Sequence, residues 1–243
     1  MSDAPVTLLT HVHHFIGPAA VKRLAKEDGV LVCHDRSFAD PGKRAAFQAE
    51  HPGVEVCSAT EPSGVVGEIE ARFGRLDALV SNDPYPAVRS PIDEADADEF
   101  RRALEALIVW PYQLLGRAAA LMKPQNAGRI LIISSAAPLT GIPNYTMYAA
   151  ARGAENALVP SLSKELAKWG ISVNAIAPNY IKNPDYFPPE LLANQDAMAK
   201  MLKNIPLGRL GEPEEVAELV ALFASGRCGF VTGHVIPIAG GWA

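Results

Sequence analysis

The sequence predicts an α/β fold: one parallel sheet covered by helices on both faces. Three observations lead there. Short, apolar, β-branched runs alternate with longer helical patterns from one end of the chain to the other. No low-complexity linker or internal repeat interrupts them. The length of 243 residues, with 49% hydrophobic and 20% charged, suits one domain with a substantial core. Strands alternating with helices imply right-handed crossovers, so a single doubly wound domain with a central seven-stranded parallel sheet is expected over residues 1–243.

Taken in order, the strands are expected over 6–10, 30–33, 54–57, 78–81, 129–134, 172–177 and 234–238, each a short apolar run rich in Val, Ile or Leu. Helices are expected over 18–27, 41–50, 62–73, 96–122, 148–169 and 213–225. Pro111 and Pro160 should kink or break the helices that contain them. The helices over 96–122 and 148–169 are apolar around much of their circumference and need cover on more than one side. Burial against a second copy of the chain supplies that cover, so a homo-oligomer is expected.

Composition excludes several classes of function. The net charge of -5 is mild and no basic block is present, which argues against nucleic acid and anionic lipid as partners. No uncharged apolar run reaches 18 residues, so no membrane span is expected. The first ten residues lack the pattern of a secretory signal. Cys33, Cys57 and Cys228 form an odd, sparse set without CxxC spacing, as buried free thiols of a cytoplasmic protein would.

In doubly wound sheets ligands bind beyond the carboxyl ends of the strands, so the residues after each strand carry the functional reading. After the first strand, a dinucleotide-binding turn would need several glycines; only Gly17 is present, and Phe15 puts a ring where the phosphates would lie. No nucleotide cofactor is expected. His11, His13 and His14 are close in sequence, but no Asp, Glu or Cys stands at a ligand spacing to complete a site, and no metal is expected. Asp35 follows the second strand where an acid would hold a ribose; without the glycines, a turn or helix-capping role fits it better. Asp83, after the fourth strand, fits two readings: a residue positioning backbone around the pocket, or an Asx-turn leading into prolines. After the sixth strand, Pro178, Asn179, Tyr180 and Ile181 begin a long loop that continues to Tyr186 and Phe187. It could line an apolar pocket with a small anion site of backbone N–H groups, or merely lead to the next helix.

Between the fifth strand and the following helix lie Ser135, Tyr148 and Arg152. Tyr148 and Arg152 are one helical turn apart, about 6 Å of rise, so phenol and guanidinium share a face. A free tyrosine titrates near pH 10, leaving about one in a thousand ionised at neutrality. A fixed guanidinium nearby favours the phenolate, and its own proton stays on at any working pH. Tyr145 lies seven residues from Arg152, about 10 Å of rise if helical, which makes Tyr148 the candidate base. The same spacing also suits a surface contact between a cation and a ring.

These residues together resemble the short-chain dehydrogenase/reductase superfamily, a Rossmann-like fold, along essentially the whole chain. Leu79 to Asn82, Val173 to Pro178, the stretch from Pro206 and the closing Gly240 and Gly241 are similar to its strand and C-terminal signatures. The departures define a branch. Thr10 to Gly17 replaces the glycine-rich turn, Asp83 follows Asn82, Leu107 falls where an active-site asparagine is usual, Arg152 replaces the lysine, and Asn179 replaces the glycine after Pro178.

Thr-x4-Phe-x-Gly (Thr10, Phe15, Gly17) with Ser-x12-Tyr-x3-Arg (Ser135, Tyr148, Arg152) resembles the halohydrin dehalogenases, a cofactor-independent offshoot. The runs at 33–35, 81–83 and 178–180 resemble that branch too. The resemblance implies a vicinal haloalcohol closed to an epoxide, with halide and a proton released, and the reverse opening of epoxides by azide, cyanide, nitrite or halide. It implies that Ser135 binds the substrate oxygen, Tyr148 takes its proton and Arg152 supports the phenolate. Phe15 and the loop from Pro178 to Ile181 would hold the halide, and the assembly would be a tetramer. The alternatives are an NAD(P)-dependent reductase with a degenerate turn and a non-catalytic ligand-binding relative.

Overall fold

The computed structural model describes residues 4–243. Seven strands form one parallel sheet: β1 (Val6–Leu9), β2 (Val30–His34), β3 (Glu55–Cys57), β4 (Ala78–Ser81), β5 (Gly128–Ile133), β6 (Ile171–Pro178) and β7 (Val235–Ile238). Their order, β3-β2-β1-β4-β5-β6-β7, is that of a doubly wound Rossmann-like sheet. The chain enters in the middle, winds outward through β2 and β3, then returns to place β4 against the other side of β1. That switch opens a crevice at the carboxyl ends of β1, β4, β5 and β6.

The helices are α1 (Gly17–Leu24), α2 (Pro41–Glu50), α3 (Pro62–Phe73), α4 (Ala97–Leu104), α5 (Trp110–Met122), α6 (Ala137–Thr140), α7 (Thr146–Leu166), α8 (Pro189–Ala193), α9 (Gln195–Leu202) and α10 (Pro213–Ala224). Strand side chains alternate between two cores. Leu8, Leu79, Ile130 and Ile132 pack with Leu114, Met122 and Val159 of α5 and α7. Leu9, Val80, Leu131 and Ile133 pack with Ala20, Val21 and Val220 of α1 and α10. Each such Leu, Ile, Val or Met side chain contributes about 1.5–3 kcal/mol by leaving water. Because both faces are covered, the strands read as continuous apolar runs, and their expected positions agree with the structure to within a residue or so.

The helix expected over 96–122 is instead α4, a π-helical turn (Glu105–Val109) and α5. Pro111 explains the division. It has no N–H to give, and the widened turn lets the Trp110 N–H reach back to the Glu105 carbonyl while Pro111 sits in the first turn of α5. At Pro160, by contrast, α7 runs through without a break. That residue is exposed, so the carbonyl deprived of a helical partner can meet solvent. The short helices α6 and α8 have too few turns to show a helical period in sequence, and α9 (Gln195–Leu202) lies in the loop after β6, where no helix was expected. Cys33 and Cys57 are buried free thiols as expected; Cys228 departs from that expectation and is only half-buried, in the turns after α10. No helix among the described residues is long and apolar enough to cross a membrane.

Candidate active site

Ser135 lies two residues beyond β5. The Ser134 N–H donates to the Ile176 carbonyl and the Ala136 N–H to that of Pro178, so the β5–β6 ladder holds the backbone on either side of it. The Ser135 Oγ accepts from the Ala137 N–H at 3.1 Å, which leaves its own proton for a ligand. Ser135 is 4% exposed, Tyr148 8% and Arg152 0%.

Tyr148 and Arg152 occupy successive turns of α7. Arg152 Nε donates to the Tyr148 Oη at 3.3 Å. The other two nitrogens are anchored below. Nη2 donates to the Asp83 carbonyl at 2.9 Å, and Nη1 to the Ile133 carbonyl at 3.2 Å and to both oxygens of Glu155 at 3.0 and 2.9 Å. Burial alone would lower the pKa of Arg152, but Glu155 and the phenols beside it hold it well above the usual arginine value. Its charge is therefore permanent.

Tyr186, from the loop after β6, donates its hydroxyl to the Tyr85 carbonyl at 2.8 Å and lies 3.4 Å from the Tyr148 Oη. Burial, with Tyr148 beside it, pushes Tyr186 up, so it keeps its proton. Two phenols thus meet at the site: the Arg152 Nε donates to the Tyr148 Oη, and the Arg152 charge also acts on Tyr186.

Ser135 and Tyr148 open into a cavity of ≈ 310 Å³. Phe15, Pro178, Asn179, Tyr180, Ile181, Tyr186 and Phe187, all expected at the pocket, line it. Tyr145, Asn183 and Met201 line it as well; of these, Asn183 and Met201 carried no functional signal in the sequence. At the carboxyl end of β6 the chain turns sharply: Tyr180 has φ 56, and its N–H is taken by the Asn179 Oδ1 at 2.9 Å. The Tyr180 carbonyl and the Lys182 N–H pair with Gly211, which fixes the backbone on either side of Ile181.

The turn after β1 is held by more than the packing of the Phe15 ring. Phe15 stands at φ 55, its ring edge-on to Tyr186 at 5.5 Å, and its N–H is held by the Asp185 carboxylate at 3.0 Å. A carboxylate oxygen from the loop after β6 therefore takes the Phe15 N–H. Asn82 fixes the turn by donating to the carbonyls of His11 and His14. Gly17 is needed for close packing: a Cβ there would lie 2.5 Å from the Val12 carbonyl oxygen.

Asp83 does not line the cavity. Its carbonyl anchors Arg152, while its side chain accepts from Ser81 Oγ at 2.5 Å and lies 3.2 Å from His11 Nδ1. These contacts lie beneath the site, on the side of Arg152 away from the cavity lining. The partnership with His11 crosses from β4 to β1 and has no local signal. The three histidines separate: His11 faces Asp83 and Trp110, His13 meets Phe38 and Phe47 edge-on, and His14 lies near Asp185 at the surface. Asp35 accepts from the Ser37 N–H and caps a short 3-10 turn. Leu107 is buried against Tyr148 and Ala151. Glu155 went unnoticed, although its place three residues after Arg152 on one helix face is a readable signal.

Comparison with known proteins matches this architecture. A family model described as Enoyl-(Acyl carrier protein) reductase matches residues 12–243. The chain is 31% identical over 244 residues to the cis-4-hydroxycyclohexanecarboxylate dehydrogenase of Sinomonas cyclohexanicum, covering 98% of this chain and 96% of that protein. The chain belongs to the short-chain dehydrogenase/reductase family. Another relative in that family, an uncharacterized short-chain type dehydrogenase/reductase of Sinorhizobium fredii, is 31% identical over 242 residues, and the chain spans 43% of its length.

Among solved structures of the short-chain dehydrogenase/reductase fold, the chain resembles one called a dehalogenation enzyme. They share 46% identity over 99% of this chain and 98% of the other, with a TM-score of 0.95. It also resembles a halohydrin dehalogenase bound to ethyl (2S)-oxiran-2-ylacetate, at 36% identity over 97% and 96%, with a TM-score of 0.92.

Proposed function

We propose that this short-chain dehydrogenase/reductase family member is a halohydrin dehalogenase that needs no nucleotide cofactor. One observation carries the reading: Tyr148, backed by Arg152, opens onto a cavity lined by Phe15 of the turn after β1, whose N–H is held by Asp185. The likeness to two dehalogenase structures supports it.

The chemistry follows from the donors. A haloalcohol oxygen bound in the cavity accepts the free proton of Ser135 Oγ and gives its own proton to the Tyr148 phenolate. The resulting oxygen attacks the adjacent carbon from behind. A carbon–oxygen bond forms as the carbon–halogen bond breaks, and the halide leaves with the bonding pair toward Pro178, Asn179, Tyr180 and Ile181. Proton and halide leave in equal amounts and nothing is oxidised, so no hydride acceptor enters the balance. Arg152 stays protonated and favours the charge on Tyr148 in a site largely withdrawn from water. In reverse, Tyr148 protonates an epoxide oxygen while a small anion such as azide, cyanide, nitrite or halide opens the ring.

A second reading has its own support, because curated relatives such as the dehydrogenase named above are oxidoreductases. Purified protein incubated with 1,3-dichloro-2-propanol and no nucleotide separates the two. Chloride release supports the dehalogenase; no halide from any of several haloalcohols, together with tight NADPH binding, supports the reductase.

A further inference from the structure

Glu155 is a fully buried carboxyl that the reaction scheme leaves unused. It sits on the inner face of α7, away from the cavity lining, with both oxygens on a single nitrogen of Arg152. Nη1 serves Glu155 while Nε serves Tyr148. One guanidinium therefore faces two acidic groups on different nitrogens, in surroundings where water does not screen them.

We propose that Glu155 is a charge-balancing positioning residue for the catalytic base: its carboxyl shares the Arg152 guanidinium with the Tyr148 phenol and so sets how much positive charge the phenol feels. The inference rests on the dehalogenase reading for its functional meaning, but not for its geometry. When Glu155 is ionised, its negative charge offsets the guanidinium and weakens support for the phenolate. When it is neutral, the whole charge of Arg152 acts on Tyr148.

The surroundings make both states accessible. Arg152, on the same helix, favours the ionised carboxyl. Asp83, from the loop after β4, opposes it, with His11 behind Asp83. Tyr186 lies 3.4 Å from Tyr148 and faces the same guanidinium. Burial outweighs the pull of Arg152 and pushes Glu155 up to about 8, within reach of ordinary working pH. A hydrophobic residue would leave Arg152 with carbonyl partners but no carboxylate below; the carboxyl makes that charge pairing depend on pH.

The test reads Tyr148 directly, without substrate. Tyrosine labelled with carbon-13 at Cζ is titrated in the wild type and in Glu155→Gln, with Tyr148→Phe to assign the signal. Glutamine keeps an acceptor for Nη1 and removes the negative charge. The Tyr148 curve should move to lower pH by about one unit or more, the size expected when a charge within a few ångströms is removed. The acid limb of the halide-release profile should move with it. Superimposable curves would overturn the proposal, since a merely structural glutamate would leave the titration in place.

Should Glu155→Gln fail to fold, the wild type still decides. Glutamate labelled at Cδ should show a Glu155 signal whose titration carries the Tyr148 inflection, and the reverse, as coupled groups require. Two independent single-proton curves would overturn the sharing. Chloride release by the wild type is read separately. Shifted titrations without dehalogenation would sink the function and leave this inference standing; dehalogenation with unshifted titrations would do the opposite.

Discussion

At the scale of single residues, the base assignment turns on what touches the two phenols. Tyr148 receives Arg152 Nε, whereas Tyr186 gives its proton to the Tyr85 carbonyl and is pushed up by burial. Tyr148→Phe should therefore lose at least about 100-fold in halide release while remaining folded, and Tyr186→Phe should lose much less. Equal losses, measured with circular dichroism as the check on folding, would contradict the assignment. Arg152→Lys keeps a charge but not the three-nitrogen anchorage to Tyr148, Glu155 and the Asp83 and Ile133 carbonyls. Its rate should fall or its pH profile move upward; an unchanged profile and rate would count against the support of Tyr148 by Arg152. Buried His34 gives a stability prediction. Burial pushes its imidazole down to about 3 from 6.5, so between those values the unfolded chain binds more protons and stability rises with pH. The slope from this group approaches about 1.4 kcal/mol per pH unit. Urea denaturation across that window should show a shallower rise for His34→Gln than for the wild type.

At the scale of elements, legibility followed local chemistry. The strands were readable because burial on both faces makes them uniformly apolar, and the Tyr148–Arg152 pair because a helix puts residues four apart on one face. The His11–Asp83 contact was hidden because it joins the ends of β1 and β4, and sequence separation says nothing of sheet order. Asp185 holding Phe15 was hidden for the same reason, with 170 residues between them. The division of α4 from α5 was half visible: Pro111 marked the place, but not that a π turn would absorb it. The first turn offers a test at this scale. Gly17→Ala puts a methyl group against the backbone of Val12, and the shift needed to relieve it should cost about 1–3 kcal/mol. An alanine variant with unchanged thermal and urea unfolding would show that the turn is not held as tightly as its contacts imply.

At the scale of the whole molecule, the doubly wound sheet brings four strand ends to one crevice, and the sequence has altered what those ends hold. Ser135 and Tyr148 stand after β5 as in a reductase resemblance, while the turn after β1 is filled and the loop after β6 encloses a small cavity. The surface carries an expectation about assembly. Val109 and Tyr112, where the π turn meets α5, and Ile92, before α4, are exposed apolar side chains, and we propose that they contribute to a homo-oligomer, a tetramer by the resemblance. Sedimentation should show an assembly that Tyr112→Asp weakens; a wild-type monomer at micromolar concentration would contradict it. The central claim, a cofactor-free dehalogenase with Tyr148 as base, is tested most directly by product balance. Nucleotide-free protein and a vicinal haloalcohol should yield chloride and epoxide in equal amounts with the wild type and almost none with Tyr148→Phe. No chloride from the wild type, or the same yield from both proteins, would contradict the account.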